Sequence, residues 1–283
     1  MVGIERRYLF KGVLVLDSAL HIGGGDDLAS VTDAAVVRTP AGTPYIPGSS
    51  FKGAFRSTVE KIAGAVGGIR TCCLDPDDDF CIGPVGGGRQ LAFSRDEERP
   101  KSDRQFVKMV TARLCDTCIL FGSPYLASRI AFSDLYLVSG ESAYTQVRDG
   151  VGIDRDSERA VDNIKYDYET VAPGAGFEAE IMLLNPSRKD LFLTCIGLQE
   201  YLSGFGSLGG MRSRGLGRCR LADLSVYELD LSDENRCIEN LRNYLLETEP
   251  EKKMRRIGPA AAFIKEQILG YLEGEGSDAQ TVG

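Results

Sequence analysis

The sequence predicts an α+β fold in which four antiparallel strands form a sheet backed by two helices, the ferredoxin-like order. Three observations predict it. Some segments are rich in branched residues or alternate apolar with polar residues, as strands do, and another repeats apolar residues at helical spacing. With long insertions set aside, the elements follow the order strand, helix, strand, strand, helix, strand. The 283 residues are enough chain for a sizeable core.

The first part of the pattern contains a long strand, a short strand and a helix. We expect a strand over 8–17, where YLFKGVLVLD is apolar and rich in branched residues, and a short strand over 34–38. We expect Ser49 or Ser50 to cap a helix that ends near Ala63. Its buried face is predicted from apolar residues at helical spacing, which are Phe51, Phe55, Val59 and Ile62.

The second part contains three strands and the second helix. Strands are predicted over 129–137, 177–183 and 219–229, and the middle one alternates apolar with polar residues. The tripeptide Asn185-Pro186-Ser187 opens a helix that we expect to end near Leu202.

Three further segments lie outside this pattern. Residues 64–122 lack periodicity and are predicted to be a long cysteine-rich insertion, and residues 139–174 form a polar excursion. We therefore expect one domain over 1–229 that carries both segments, followed by a C-terminal helical extension over 230–283. Helices are predicted in that extension near 233–246 and 259–272, and we expect the last ten residues to be disordered.

Composition and charge exclude several classes of protein. With 43% hydrophobic and 26% charged residues the composition is that of a globular protein, not of a collagen-like or wholly disordered chain. The net charge of -8 argues against a protein coated in positive charge, although a local basic groove can still bind nucleic acid. Because the apolar runs are shorter than the roughly 20 residues that cross a bilayer, and MVGIERRYLF lacks a signal-peptide core, we expect a soluble cytoplasmic protein with no membrane partner.

The cysteines indicate a structural zinc site. Of eight cysteines, five crowd into one stretch, where Cys115-Asp116-Thr117-Cys118 has the CxxC spacing of a zinc knuckle. Buried reduced thiols are the alternative, and a redox CxxC is disfavoured because Cys115 does not follow a strand in a βαβ unit. The predicted Zn²⁺ ligands are Cys73, Cys81, Cys115 and Cys118, with Cys72 as the alternate to Cys73.

Two glycine-rich segments and one basic helix start favour binding of phosphate groups. The first segment is Ile22-Gly23-Gly24-Gly25, and the second, over 204–220, interleaves glycines with arginines and contains no acid. Glycine lets backbone N–H groups approach phosphate oxygens, and arginine adds bidentate charge. Neither segment fits the dinucleotide fingerprint or the phosphate-loop motif, so nucleotide hydrolysis is disfavoured, and flexible turns are the alternative. The predicted helix start, with its serines, Lys52 and Arg56, favours a bound anion.

These blocks carry a resemblance to a known family. HIGGG at 21–25, PYIPGSSFKG at 44–53 with Arg56, and GGMRSRGLG at 209–217 resemble, in this order, the signature blocks of the RAMP superfamily. The chain is most similar to the repeated backbone subunit of type III CRISPR effector complexes, over residues 8–229. The cysteine-rich insertion resembles the zinc-containing type III-D and III-E-like branch. The resemblance implies a ferredoxin-like (RRM-like) fold.

The resemblance also implies partners and RNA-binding residues. Such subunits stack along a CRISPR RNA that pairs with a target single-stranded RNA, beside neighbouring backbone, small and large subunits. In this sequence the implied contacts lie in the two glycine-rich segments and the predicted helix start. They are His21, Gly23, Gly24, Ser49, Ser50, Lys52, Arg56, Gly209, Gly210, Arg212, Arg214 and Gly215.

Residues 139–174 fit the hairpin thumb that such subunits insert between guide and target strands. Val151 and Ile153 are expected to act as a wedge, because insertion between bases buries them, and Arg148 and Arg155 are expected to contact RNA. The alternative for this segment is a disordered surface loop.

Members of the family cut target RNA with an aspartate, which by position between HIGG and PYIPGSS corresponds to Asp33. Such a carboxylate acts as a base or holds a divalent cation, here Mg²⁺, while the 2′-OH attacks the neighbouring phosphorus. A turn residue is the alternative for Asp33, and Asp26 and Asp27 compete for the role. His21 is a weaker candidate base. The implied function is therefore a guide-directed endoribonuclease; the alternatives are a catalytically silent backbone subunit and a CRISPR precursor-processing endoribonuclease.

Overall fold

The computed structural model describes residues 3–23, 34–72, 81 and 102–278. The strands are β1 (Arg6–Leu16), β2 (Ile130–Phe132), β3 (Thr145–Ile153), β4 (Ala160–Val171), β5 (Gly176–Leu184), β6 (Cys219–Asp230) and β7 (Arg255–Ile257). The helices are α1 (Gly48–Ala63), α2 (Asp103–Arg113), α3 (Asp116–Phe121), α4 (Arg188–Leu202), α5 (Cys237–Leu246), α6 (Pro250–Lys253) and α7 (Ala260–Asp278).

Five of the strands form one sheet in the order β2-β5-β1-β6-β7. Each neighbouring pair is antiparallel, and in the central strand Phe10 lies opposite Ile181 on β5 and Val226 on β6. The prediction of a mixed fold with an antiparallel sheet and helices is confirmed. The edge strand β7 was missed, since three residues are too short for alternation to be recognised.

The core lies between this sheet and helices α1, α4 and α7. Phe51 and Phe55 on α1 are fully buried and contact Tyr201 of α4, with ring centroids 5.3 and 5.7 Å apart. Full burial of such a side chain stabilises the fold by about 1.5 to 3 kcal/mol. On α7, Tyr271 stacks on Phe192 with centroids 4.2 Å apart. The C-terminal extension therefore contributes side chains to the main core.

Helix α4 begins as the sequence indicates. Ser187 is its N-cap and accepts a hydrogen bond from the Asp190 N–H, while the Asp190 carboxylate accepts one from the Ser187 N–H. Such a reciprocal pair satisfies two backbone donors at the helix start.

Two predicted strands are shorter than expected. Residues 34–38 form isolated bridges, with Ala34 beside Tyr168 and Val36 beside Gly23, because their partners belong to different parts of the chain. Of the strand predicted over 129–137, only Ile130–Phe132 is continuous. The chain then turns so that Asp134 can accept a hydrogen bond from the start of α1.

The predicted insertion and extension contain more helix than expected. Within 64–122, where we find no sequence periodicity, the structure places α2 and α3; Val110 and Leu114 are one turn apart and pack against the cysteines. The helix predicted from 233 begins at Cys237, and the last helix continues to Asp278, so residues 274–278 are helical and not disordered. Residues 279–283 lie outside the described residues.

In the part of the chain that the structure describes, no helix combines the length and the apolar character needed to cross a membrane.

Candidate functional site

The two glycine-rich segments, almost 190 residues apart in sequence (from Gly23 to Gly209), meet at the first turns of α1. Together they enclose an open groove of about 490 Å³. Three elements contribute the lining: His21, Ile22 and Gly23 from the first segment, Ser49, Ser50, Gly53, Ala54 and Ser57 from α1, and Gly209, Gly210 and Arg212 from the second segment. The fold thus brings together most of the sequence-predicted phosphate-binding residues.

Helix α1 has one face buried in the core and another that lines the groove. Its buried face carries Phe51 and Phe55, whereas the face toward the groove carries small side chains at Ser49, Gly53 and Ser57, spaced one turn apart. Small side chains leave room for a ligand to lie against the helix. Sequence analysis identified only the serines of the first turn; the four-residue spacing of small residues is the signal that could have identified the others, Gly53, Ala54 and Ser57.

The start of α1 corrects the predicted cap. The helix begins at Gly48, whose N–H donates to Asp134 Oδ1 at 2.7 Å, so neither Ser49 nor Ser50 is the cap. A Cβ at position 48 would lie 2.6 Å from the Phe132 carbonyl oxygen, and only glycine allows this close approach to β2. Because Asp134 takes the capping role, both serines lie within the helix and line the groove.

Backbone contacts hold the two glycine-rich walls together. The Gly210 N–H donates to the His21 carbonyl at 3.0 Å. Gly209 has φ +77°, and a Cβ there would lie 2.3 Å from the same carbonyl oxygen. The His21 ring is also fixed, since its Nδ1 lies 2.7 Å from the Glu169 carbonyl oxygen and must donate to it, because a carbonyl only accepts. The two walls are therefore held together by contacts within the protein on this side of the groove.

The second glycine-rich segment also contacts the two-stranded sheet of β3 and β4, here called the hairpin. Arg212–Arg214 form a single 3₁₀ turn that ends at Gly215, which has φ +83°. The Arg214 guanidinium donates to the Tyr166 hydroxyl and lies 5.9 Å from the centre of its ring. Arg212 lines the groove, so neighbouring arginines of one turn serve the groove and the hairpin.

Residues 139–174 contain this hairpin, and some of its apolar residues face solvent whereas others, such as Tyr168, are buried. The side chains of Val151 and Ile153 are 51% and 63% exposed. Arg148 lies opposite Tyr168 in the register, and Arg155 is exposed in the turn that joins the strands. The hairpin therefore presents both apolar and basic side chains to solvent.

Lys52 and Arg56 are on α1 but are not among the residues that line the groove. Arg56 Nε donates to Glu60 Oε1 at 2.7 Å, so Glu60 is its partner within the helix, and Nη2 lies 3.3 Å from Cys118 Sγ. Burial by itself would lower the pKa of Arg56, but the hydrogen bond and charge of Glu60 raise it overall. Partial burial lowers the pKa of Lys52, and the charge of Arg56 acts in the same direction. The structure thus directs Arg56 toward the cysteines.

Four cysteines lie together beneath this arginine. The Sγ atoms of Cys72, Cys81, Cys115 and Cys118 are all within 4.8 Å of one another, and Cys118 Sγ is 3.6 Å from Cys72 Sγ and 3.5 Å from Cys81 Sγ. Sulfurs at the corners of a tetrahedral zinc site are about 3.8 Å apart, given Zn–S bonds of about 2.3 Å. The cluster can therefore bind a metal such as zinc. Cys72, the alternate ligand, belongs to it, and Cys73 lies outside the described residues.

The cysteine thiols differ in acidity because they share hydrogen bonds. Hydrogen bonding with Cys118 lowers the pKa of the Cys115 thiol, with Cys72 and Cys81 acting the same way. Hydrogen bonding with Cys115 raises the pKa of the Cys81 thiol. A divalent metal binds thiolates and releases their protons, so a lowered thiol pKa in the cluster favours metal binding.

The sequence-predicted catalytic aspartate cannot be placed in this geometry. Asp33, its competitors Asp26 and Asp27, and the predicted RNA contact Gly24 lie outside the described residues. The described residues on either side, Gly23 and Ala34, are on the groove wall and beside Tyr168 of the hairpin, respectively.

The chain is similar in sequence to known proteins over the residues that form the groove. The sequence model of the RAMP superfamily matches residues 13–220, a span that includes every groove-lining residue. The CRISPR system Cms endoribonuclease Csm3 of Methanocaldococcus jannaschii is 24% identical over 237 residues, covering 79% of this chain and 82% of the relative. The protein of the same name from Streptococcus thermophilus is 27% identical over 228 residues, covering 77% and 88%.

Proposed function

This chain belongs to the RAMP superfamily, and we propose that it is a CRISPR RNA-binding backbone subunit of a type III effector complex. The observation that carries the proposal is the convergence of two glycine-rich segments and the small-residue face of α1 on one groove. Two relatives named as CRISPR endoribonucleases, aligned over more than three quarters of the chain, support the same assignment.

The groove has the chemistry that a ribose-phosphate strand requires. The small side chains of Gly23, Gly53 and Gly210 allow a backbone to approach closely, and the hydroxyls of Ser49 and Ser50 can donate to phosphate oxygens. Arg212 supplies positive charge at the rim. Base sequence is not read by such contacts, so the subunit would hold any guide and leave target choice to base pairing.

The sheet and hairpin fit this proposal. The order β2-β5-β1-β6, with α1 and α4 as connecting helices, supports the proposal of a ferredoxin-like core, to which β7 would add an edge strand. In the proposal the hairpin is the thumb: Val151 and Ile153 would insert between bases of the guide–target duplex and become buried there. Arg148 and Arg155 would contact the flanking phosphates.

We also propose that Asp33 cuts the target RNA. A carboxylate held beside a kinked strand can take the proton of the attacking 2′-OH or bind Mg²⁺. Bound Mg²⁺ would stabilise the charged phosphorane. Since a lone carboxylate is a minimal site, in-line geometry imposed on the RNA must supply much of the rate.

The cysteine cluster is proposed to be a structural zinc site. Zn²⁺ bound by Cys72, Cys81, Cys115 and Cys118 would have four protein ligands and no open position, the arrangement of structural and not catalytic zinc. Metal analysis of protein purified without chelator should find about one zinc per chain.

A salt titration of RNA binding tests the groove. Replacement of Arg212 by Ala should weaken binding of CRISPR RNA and lower the slope of log affinity against log salt by about 1, since one phosphate contact is lost. Exposed Lys265 lies on α7, outside the groove, and Lys265→Ala is the matched loss of one positive charge. Equal slopes for Arg212→Ala, Lys265→Ala and the unaltered chain would contradict the groove assignment.

Cleavage is tested in the assembled complex with Mg²⁺ and a labelled target RNA. Asp33→Ala should abolish cutting and leave target binding intact, whereas Asp26→Ala and Asp27→Ala should still cut. Retained cutting at every site by Asp33→Ala would refute the role of Asp33. An unaltered complex that binds but never cuts would instead indicate a catalytically silent backbone subunit.

A further inference from the structure

Arg56 bridges two parts of the molecule that are distant in sequence. It projects from α1 and lies 5.9 Å from the centre of the Phe121 ring on α3. Its Nε donates to Glu60 Oε1 at 2.7 Å and its Nη2 lies 3.3 Å from Cys118 Sγ. The side chain is only 15% exposed. An arginine held in this way is fixed in one conformation.

A second contact joins α3 to α4, another helix of the core. The Asp116 carboxylate accepts hydrogen bonds from the Arg70 N–H at 2.8 Å and from Lys189 Nζ, on α4, at 3.2 Å. Both Asp116 and Cys118 belong to the CxxC turn. This turn therefore contacts α1 through Arg56 and α4 through Lys189.

We propose that Arg56 is a positioning residue that stabilises the metal-bound thiolate of Cys118 and thereby braces the groove-lining helix α1. Four thiolates around Zn²⁺ carry a net charge of about -2, which in a buried site requires compensating cations and N–H donors. The Arg56 guanidinium supplies both at Cys118, and Glu60 orients it. Metal occupancy is then linked to the helix that carries Ser49 and Ser50.

This inference replaces the expectation that Arg56 contacts RNA phosphate. A guanidinium already occupied by Glu60 and Cys118, and mostly buried, has little left to offer a strand in the groove. Only the link to RNA depends on the proposed function; the link to the metal does not.

Zinc retention is the first measurement. Arg56→Gln should weaken retention of zinc by the purified chain against a colorimetric chelator by about 10-fold to 100-fold, the usual cost of losing a partner of a metal ligand. Arg56→Lys, which keeps the charge, should recover part of the loss. Lys61→Gln removes one exposed charge from the same helix and should behave like the unaltered chain.

A further variant separates a direct contact from general weakening of α1. Val59→Ala removes a buried side chain of the same helix without touching the cysteines, so it should lower the melting temperature but keep zinc affinity. Equal zinc affinity for Arg56→Gln and the unaltered chain, or equal loss in Arg56→Gln and Val59→Ala, would overturn the proposal.

RNA binding is the second measurement. With zinc saturating, Arg56→Gln should keep the salt slope of the unaltered chain, and chelation of zinc should weaken RNA binding by both. A slope lower by about 1 with normal zinc retention would instead make Arg56 a phosphate contact and overturn the inference. If the unaltered chain binds no CRISPR RNA, the proposed function fails, while zinc retention still decides whether Arg56 supports the metal.

Discussion

The groove and the hairpin are the two surfaces through which this subunit is proposed to meet RNA, and they are built in opposite ways. The groove is lined largely by backbone and small side chains, held by contacts such as that between Gly210 and His21. The hairpin is a separate two-stranded sheet in which the side chains of Val151 and Ile153 are exposed to solvent. The groove is held by contacts within the protein, whereas the exposed hairpin residues are proposed to become buried only against RNA.

The difference has an energetic consequence. A site that is already ordered loses little conformational entropy on binding, so changes that disturb its packing should affect both stability and RNA affinity. The exposed hairpin residues contribute little to folding, so changes there should affect binding alone. The following three experiments test that contrast, from the largest expected effect to the smallest.

The largest effect is expected from Gly209→Ala in the groove wall. The backbone there has φ +77°, and the new Cβ would lie 2.3 Å from the His21 carbonyl oxygen, so the two glycine-rich walls must separate. We expect unfolding free energy to fall by about 2 kcal/mol or more, the combined order of left-handed strain and overpacking. CRISPR RNA affinity should fall in parallel.

Gly210→Ala is the matched control, since its Cβ would meet the His21 ring at an ordinary 3.6 Å. Its stability in denaturant titrations should stay close to that of the unaltered chain. Similar stability losses for the two variants would show that the wall is not held by the close approach at Gly209.

An intermediate effect is expected from the double change Val151→Ser and Ile153→Ser. Because both side chains are exposed, stability should change by less than about 0.5 kcal/mol. Affinity of the assembled complex for target RNA should fall about fivefold to tenfold, since burial of the two side chains between bases is lost.

Val147→Ser provides the comparison for the hairpin. Val147 lies on the same strand, is 56% exposed and is nearer to the base of the hairpin. It should change target affinity less than the double variant does. A loss of stability in the double variant, without a loss of target affinity, would reverse the contrast drawn here.

The smallest effect concerns the contact between the hairpin and residues 34–38, where Val36 pairs with Gly23 of the groove wall. Glu169 on β4 accepts hydrogen bonds from the Val36 N–H at 3.1 Å and from Arg38. Burial alone would raise the pKa of Glu169, but hydrogen bonds from Thr145, Val36 and Arg38 lower it overall from its ordinary value of 4.5. Since the folded pKa is the lower one, this stabilisation is present above pH 4.5 and is lost as pH falls through the folded pKa.

Thermal unfolding of Glu169→Gln measures the stabilisation that the ionised Glu169 carboxylate contributes. The variant should be less stable than the unaltered chain near pH 7, by no more than about 1 kcal/mol because Arg38 is partly exposed. The two should converge in acid. A difference that persists unchanged at pH 3 would show that the charge of Glu169 is not what joins the two regions.

The elements that sequence analysis predicted are those whose signal is local. The alternation in β5 and the Ser187–Asp190 pair at α4 involve neighbouring residues, so they can be read without the fold. The start of α1 could not be predicted, since its acceptor, Asp134, is 86 residues from Gly48. The strand β7 is equally non-local, because it exists only through pairing with β6.

Some features of the candidate site were also indicated by the local sequence, and others depended on the fold. Glycine, serine and arginine blocks indicated a phosphate-binding surface, and CxxC spacing indicated a metal, because backbone freedom, charge and thiol chemistry belong to residue types and their order. Only the tertiary structure decided that the blocks face one another, that Cys72 joins the cluster, and that Arg56 points to sulfur. These outcomes depend on contacts between residues far apart in the chain, which are set by packing of the whole core.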